Sequence, residues 1–314
     1  MISADDSEAI AAAFGLGEVL LFEGPCARGE LGQVWRLSAG SGDWAVKESF
    51  EAGGVHDHAV TTEFHEAAVA SGVPAPSVRR ATDGSAAVLI GDTPVRVHGW
   101  VDLDPPDPAM DPVTVGAAIA ALHRVVFSGD LPAHWWNSEP VGADGWDFLI
   151  GELRTRQSPL ADRFARWRDE FVALESWLAP ARAVQVCHRD LFADNLRRTT
   201  AGAPCIIDWD NAGDADPNQE LAMVLFEFTS DDMATAPTLM TSYIEAGGPA
   251  RVLGRQDFSM TIAVLGHLAR RIGELWLAPG VTAEERVRQE RRFDEYDERP
   301  FTREVIDRLL DAIA

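Results

Sequence analysis

Residues 184–210 read VQVCHRDLFADNLRRTTAGAPCIIDWD, a polar loop held between two short apolar runs. The runs, VQVC and CIIDW, are rich in β-branched residues and far too short for helices, so both read as strands. Four aspartates, one asparagine and one histidine fall within this stretch. Any fold that accepts it must place carboxylates at the ends of two buried strands. Two arrangements satisfy that demand: a solvated acidic loop, or a site for a metal ion and phosphate. The surrounding sequence decides between them.

The first hundred residues carry strand signals. EVLLFEG, GQVWRLSAG, DWAVKESF and AAVLIG are short runs rich in Val, Leu and aromatics, bounded by Gly, Ser and Asp. Between the third and fourth, AVTTEFHEAAVASGVPAP has helical composition, and Gly72 and Pro74 supply its stop signal. These predict a small antiparallel sheet with one inserted helix. TPVRVHGWVDLDPPDPAMDP then gives one more strand-like piece and a proline-rich linker that cannot continue regular pairing. Beyond it the pattern turns helical. Asp111 is placed to cap a helix with Pro112 at its first position, and Val115, Ile119, Leu122 and Val126 fall on one face. Asp257 is placed to cap another, lined by Phe258, Ile262, Leu265, Leu268, Ile272 and Trp276 and ended by Pro279-Gly280. Residues 282–313 read as a charged helix or helix pair.

A chain of 314 residues exceeds the usual size of one core, which implies two lobes. The expected division is 1–98, a β-rich unit, and 99–314, a helical unit containing the polar loop. The 27 basic and 50 acidic residues give 27 − 50 = −23, which argues against nucleic acid or an anionic membrane as partner. That charge suits attraction of a cationic substrate, and equally suits simple solubility. Cys26, Cys187 and Cys205 are odd in number and widely spaced, with no zinc pattern and no disulfide framework. The N-terminus lacks a basic stretch of the signal-peptide kind, and no apolar run reaches the roughly 18 residues of a membrane span. A cytoplasmic setting is expected.

The polar loop carries the chemistry. Asp190 and Asn195 lie five apart in H-R-D-L-x-x-D-N, and Asp208 follows at the end of the second strand. Oxygen ligands of this type suit Mg²⁺, which prefers one or two carboxylates together with substrate phosphates. A further carboxylate can orient and deprotonate an attacking hydroxyl. CHRDLFADN followed by IIDWD resembles the catalytic loop and metal-binding aspartate of the aminoglycoside phosphotransferase family, which shares the protein-kinase fold. Arg189 stands where that family's loop usually has glycine and matches the protein-kinase H-R-D instead. The resemblance implies an α+β, bilobal, protein-kinase-like fold with a small β-rich N-lobe and a larger, mostly helical C-lobe. It implies Asp190 as catalytic base, Asn195 and Asp208 as Mg²⁺ ligands, Asp210 as an auxiliary, and ATP or GTP as phosphate donor.

The same resemblance assigns the nucleotide side. DWAVKES resembles the kinase V-A-I-K strand, so Lys47 would contact phosphates and pair with a glutamate on the next helix, Glu63 in preference to Glu66. EGPCARGELGQVWRL resembles the nucleotide-positioning loop, with Gly29 and the amides of residues 27–31 reaching phosphate; Gly29 and Gly32 would otherwise make a plain hairpin turn. VRVHGWVDL would be the hinge that reads the purine edge, with Val97 to Trp100 as candidates, although Trp100 suits a packed strand equally well. D-W-D is followed by NAGDADPNQELAMVLFEF, which reaches a helix without an A-P-E motif or room for a peptide platform. A small hydroxyl-bearing acceptor follows: an aminoglycoside or other antibiotic, with metabolic acceptors such as a sugar, a choline-like compound or a nucleoside as the alternative. A nucleotide-binding pseudokinase would have lost Lys47, Asp190, Asn195 or Asp208, and all are present. Glu220, in D-x-x-x-E-L-A, reads as structural. Asp214, Asp216, Glu227, Asp231 and Asp232, and the tryptophans of AHWWNSEPVGADGW, remain open as acceptor contacts.

Overall fold

The computed structural model describes residues 1–29, 32–50 and 57–314. In chain order its elements are α1 (Ser7–Phe14), β1 (Val19–Arg28), β2 (Gly32–Ala39), β3 (Gly42–Ser49), α2 (Asp57–Ala70), β4 (Val78–Arg79), β5 (Val88–Ile90) and β6 (Thr93–Gly99). There follow α3 (Pro112–His123), α4 (Ala143–Thr155), α5 (Leu160–Glu175), β7 (Gln185–Cys187), β8 (Leu196–Arg198), β9 (Pro204–Ile206) and β10 (Gly213–Ala215). The chain ends with α6 (Pro217–Thr229), α7 (Ala236–Glu245), α8 (Ser259–Leu277), α9 (Ala283–Glu298) and α10 (Arg303–Ile313).

Two compact units divide these elements. One comprises 1–107, 124–131 and 193–213, and the other 108–123, 132–192 and 214–314. The first contains the antiparallel sheet, ordered β1-β2-β3-β6-β4 with β5 also on β6. One face of this sheet is covered by α1, whose Ile10, Ala11 and Phe14 pack with Leu37, Val46, Val95 and Val97. Gly15, at φ +62, ends α1 in the left-handed conformation that glycine adopts without strain. Gly32 is required for a different reason: a Cβ there would meet the Glu48 carbonyl oxygen at 2.3 Å, so only glycine allows β2 to run this close to β3. The β8–β9 hairpin joins the same unit, with Leu196 opposite Ile206. It therefore carries Asn195 and Asp208 into the unit that holds Lys47.

The second unit is mostly helical. One of its cores gathers Trp146, Leu149, Leu153, Phe164, Phe171, Ile272 and Phe293 from α4, α5, α8 and α9. Asp111 caps α3 as expected, accepting from the Thr114 amide at 3.0 Å and hydroxyl at 2.7 Å. Val115, Ile119 and Leu122 are buried, but α3 ends at His123 and Val126 is 94% exposed, so Val126 leaves the predicted face. Phe258, Ile262, Ile272 and Trp276 of the next predicted face are buried, whereas Leu265 and Leu268 are half-buried. Asp257 lies in a short 3-10 turn ahead of α8 and accepts from the amides of Leu253 and Gly254, so it secures the approach to the helix. Residues 282–313 form a pair, α9 and α10.

Candidate active site

In the sheet unit, β3 presents Lys47 to the end of the β8–β9 hairpin. Lys47 Nζ donates to Asp208 Oδ1 at 2.5 Å and lies 2.8 Å from Asp210 Oδ2. Burial alone would pull the lysine pKa down, but the carboxylates of Asp210 and Asp208 outweigh it and the net shift is upward. Arg96, opposite Lys47 in the β3–β6 register, grips Asp210 with both nitrogens at 2.5 and 2.7 Å. For Asp210 burial pushes upward, and Lys47 and Arg96 together hold it well below the usual carboxylate range. Asp208 itself adopts φ +60, a conformation that costs a non-glycine residue strain and that recurs at functional sites. Asn195 lies just before β8, and its carbonyl accepts from Ile207 N at 2.8 Å, which fixes the two candidate metal ligands at one end of the hairpin. Asparagine and aspartate are hard oxygen donors, and Asp208 keeps 42% of its side chain exposed, so the pair fits Mg²⁺.

The expected Lys47–Glu63 pair is replaced by this arrangement. Glu63 is exposed, and Glu66 is held by Arg80 at 2.6 and 2.7 Å. The reason lies in the rotation of α2 about its axis. Its inward residues are Phe64 and His65, which pack on Trp209, with His65 stacked at 4.5 Å between ring centroids. Glu63, one residue before them, consequently faces solvent. The hinge expectation is redirected in a similar way. Val97 is buried between β3 and β4, while the Gly99 amide donates to Ser77 O and the Trp100 amide to Asp43 O. The Trp100 indole bonds Asp102, and its ring lies under Arg36 at 5.0 Å, so Trp100 is a packed residue. Gly29 follows β1 directly, and its amide donates to Gly32 O at 2.9 Å. The expectation for Glu30 and Leu31 lies outside the described residues.

In the helical unit, Asp190 is half-buried, and both sides of it are anchored. Before it, the Arg189 amide donates to Glu220 Oε1 at 2.5 Å, with Arg189 at φ +65. Glu220 Oε2 meets His123 Nε2 at 2.8 Å, and His123 Nδ1 meets the Tyr243 hydroxyl at 2.8 Å. Tyr243 also accepts the Ala250 amide, so its own proton is directed to Nδ1 and His123 donates from Nε2. His123, Cys187 and Glu220 cluster closely, but both imidazole nitrogens are committed and burial lifts the Cys187 thiol well above its usual range. The cluster is a hydrogen-bonded brace for the loop. After Asp190, Phe192 packs against the buried cluster of Met223, Met260 and Val264, against which Trp136 also packs. The Arg189 side chain donates to Pro132 O at 3.1 Å, which ties the tryptophan segment to the same loop. Trp135 and Trp136 both contact the His267 ring, and Trp135 stays 49% exposed.

The five acidic candidates separate by partner. Asp216 is buried and caps α6, and Asp232 caps a short turn. Arg299 engages Glu227 at 3.5 Å and Asp231 at 3.1 Å. Asp214, half-buried on β10, sits within the field of Arg189. Arg96 and Phe192 were not singled out from the sequence. Arg96 did leave a signal, since a lone charge inside the V-R-V alternation of a buried strand calls for a buried partner.

The profile of the Phosphotransferase enzyme family matches residues 25–255. The chain belongs to this family. Solved structures share its fold over nearly the whole length. A spectinomycin phosphotransferase, in complex with ADP and spectinomycin, is 12% identical with a TM-score of 0.71, covering 99% of this chain and 98% of its own. An aminoglycoside phosphotransferase from Alicyclobacillus acidocaldarius is 14% identical with a TM-score of 0.61, covering 96% and 95%. A microcompartment-associated aminopropanol kinase is 16% identical with a TM-score of 0.55, covering 91% and 92%. No curated protein matches the sequence. The phosphotransferase has the α+β, protein-kinase-like fold that the loop motif implied. Among the described residues, no helix is long and apolar enough to cross a membrane.

Proposed function

We propose that this phosphotransferase moves the γ-phosphate of ATP or GTP to a hydroxyl of a small molecule. The observation that carries the reading is the Lys47–Asp208 ion pair, which joins the strand lysine to the D-W-D aspartate across 161 residues. In this reading Asp190 orients the acceptor hydroxyl and takes up its proton, and Lys47 neutralises phosphate charge. Asn195 and Asp208 would hold Mg²⁺, which supplies charge neutralisation on the transferring phosphoryl group when bound.

The acceptor in this reading is an antibiotic of aminoglycoside-like or related polycyclic type, and the resulting role is resistance. The likeness to the spectinomycin phosphotransferase supports it. On the chain's own side, Trp135 offers an exposed ring beside the catalytic loop, and Asp214 a carboxylate not used as a helix cap. A ring and a carboxylate suit an acceptor that carries both an apolar face and an ammonium group. The metabolic reading, a small amino-alcohol or sugar kinase, draws on the likeness to the aminopropanol kinase. The test is nucleotide consumption with Mg²⁺ across a panel of aminoglycosides, spectinomycin, amino alcohols, sugars and nucleosides, run with ATP and with GTP. Turnover that depends on one acceptor and collapses in Asp190→Ala supports the reading. Acceptor-dependent turnover that survives Asp190→Ala overturns the mechanism, and no nucleotide binding at all overturns the assignment.

A further inference from the structure

The partner of Lys47 is the point at which this chain departs from its resemblance. A phosphate-binding lysine needs a carboxylate that fixes its ammonium without competing for the metal. Neither glutamate of α2 fills that place, because Glu63 is exposed and Glu66 belongs to Arg80. Asp210 is already 2.8 Å from the ammonium. It is immobilised from the other side by Arg96, which is 5% exposed and binds both carboxylate oxygens. Lys47 and Arg96 are cross-strand partners, so their side chains emerge on the same face of the sheet and converge on one carboxylate. Trp209 is held between the two aspartates by His65 and Phe64 of α2, which fixes the position of Asp210 along the chain.

We propose that Asp210, clamped by Arg96, is the positioning carboxylate for Lys47, in the place where a helix glutamate was expected. The proposal rests on the nucleotide-and-metal reading above and refines it. Two cations and two carboxylates balance in this cluster: Lys47 and Arg96 against Asp208 and Asp210. The bidentate clamp occupies both oxygens of Asp210, whereas Asp208 meets Lys47 through Oδ1 alone and stands with Asn195 as the carboxylate for a metal. The α2 helix then contributes aromatic packing on Trp209 and no charge to the lysine.

The experiment measures ADP affinity by calorimetry in excess EDTA, where a lysine–phosphate contact persists and a metal ligand contributes nothing. It is paired with the nucleotide KM and kcat at saturating Mg²⁺. Asp210→Asn is expected to weaken metal-free ADP binding about ten-fold, the size of one lost charge-assisted contact. The double variant with Lys47→Met should then lose little beyond Lys47→Met alone. Arg96→Lys, which keeps the charge and loses the fork, is expected to fall between wild type and Arg96→Met and serves if Asp210→Asn folds poorly. Glu63→Gln is expected to bind ADP as wild type does. Unchanged metal-free ADP binding in Asp210→Asn, with a raised Mg²⁺ requirement, would make Asp210 a metal ligand and overturn the proposal. A ten-fold loss in Glu63→Gln would overturn it too. Absence of ADP binding in the wild type would instead sink the nucleotide reading itself, so the two failures are distinguishable.

Discussion

Replacing Glu220 by alanine tests the brace beneath the candidate catalytic loop. Glu220 is fully buried and accepts hydrogen bonds from the Arg189 amide at 2.5 Å and from His123 Nε2 at 2.8 Å. Burial pushes its pKa up, yet the hydrogen bond and charge of His123, then the charge of His188 and the Arg189 amide, outweigh this and lower it. Each bond to a buried charged acceptor contributes about 1.5–3 kcal/mol, and removing one partner leaves its donor unsatisfied. Two such donors are stranded in Glu220→Ala, which gives a loss of about 3–5 kcal/mol. Glutamine keeps an acceptor for Arg189 but turns a donor toward His123. The imidazole must then change tautomer and orphan the Tyr243 proton, a loss of about 1–2 kcal/mol. Urea unfolding at pH 7, followed by circular dichroism, measures both variants. Because Arg189 directly precedes Asp190, the loop is expected to shift with the brace, and a displacement of about 1 Å lowers kcat by about a hundred-fold. A Glu220→Ala protein within about 1 kcal/mol of wild type would refute the reasoning, since a satisfied buried network cannot be removed so cheaply.

His98 gives a pH test. Burial, then the charges of His65, Arg96 and Lys47, hold its pKa well below the ordinary 6.5. The folded state therefore stays unprotonated while the unfolded chain binds a proton below 6.5, so stability drops as the pH is lowered below 6.5, by up to about 1.4 kcal/mol per unit. His98→Gln is expected to flatten that slope between pH 6.5 and 5 in urea titrations, and an unchanged slope would show that another group carries it. Asp111→Ala removes the α3 cap and is expected to cost about 1 kcal/mol in the same assay, with kcat unaltered. Gly116→Ala would ordinarily favour a helix, but its Cβ would meet Leu239 O at 2.5 Å and Tyr243 N at 2.9 Å. Destabilisation of about 1–3 kcal/mol is expected, and a stabilised variant would show that α3 and α7 separate freely.

The elements themselves were legible because period and punctuation are local properties. GQVWRLSAG and DWAVKESF became β2 and β3, and Asp111-Pro112 opened α3, since caps and alternation act within a few residues. Where α3 stops was not legible, because apolar spacing continues to Val126 while the helix does not. The partner of Lys47 depends on which way α2 faces. That rotation is set by Trp209, well over a hundred residues further along, and no local pattern encodes it. The acidic candidates behaved likewise. Glu227 and Asp231 look free in sequence, yet Arg299, about seventy residues on, folds back onto both. Side chains that meet only through tertiary packing are read from their partners, and partners are what a single chain conceals.

The three thiols differ in a way that matters for solution chemistry. Burial pushes Cys205 up to about 11 and Cys187 well above the usual thiol range, whereas Cys26 is exposed on β1. Thiolate is the reactive form, so the buried pair is closed to alkylation in the folded protein. The unmodified sequence thus behaves toward a maleimide dye as a single-cysteine protein. Its one address lies three residues ahead of Gly29, on the strand that leads into the expected nucleotide loop. A fluorophore placed there tests, without a mutation, whether that segment responds to nucleotide, and labelling at a second cysteine would signal that the fold had opened.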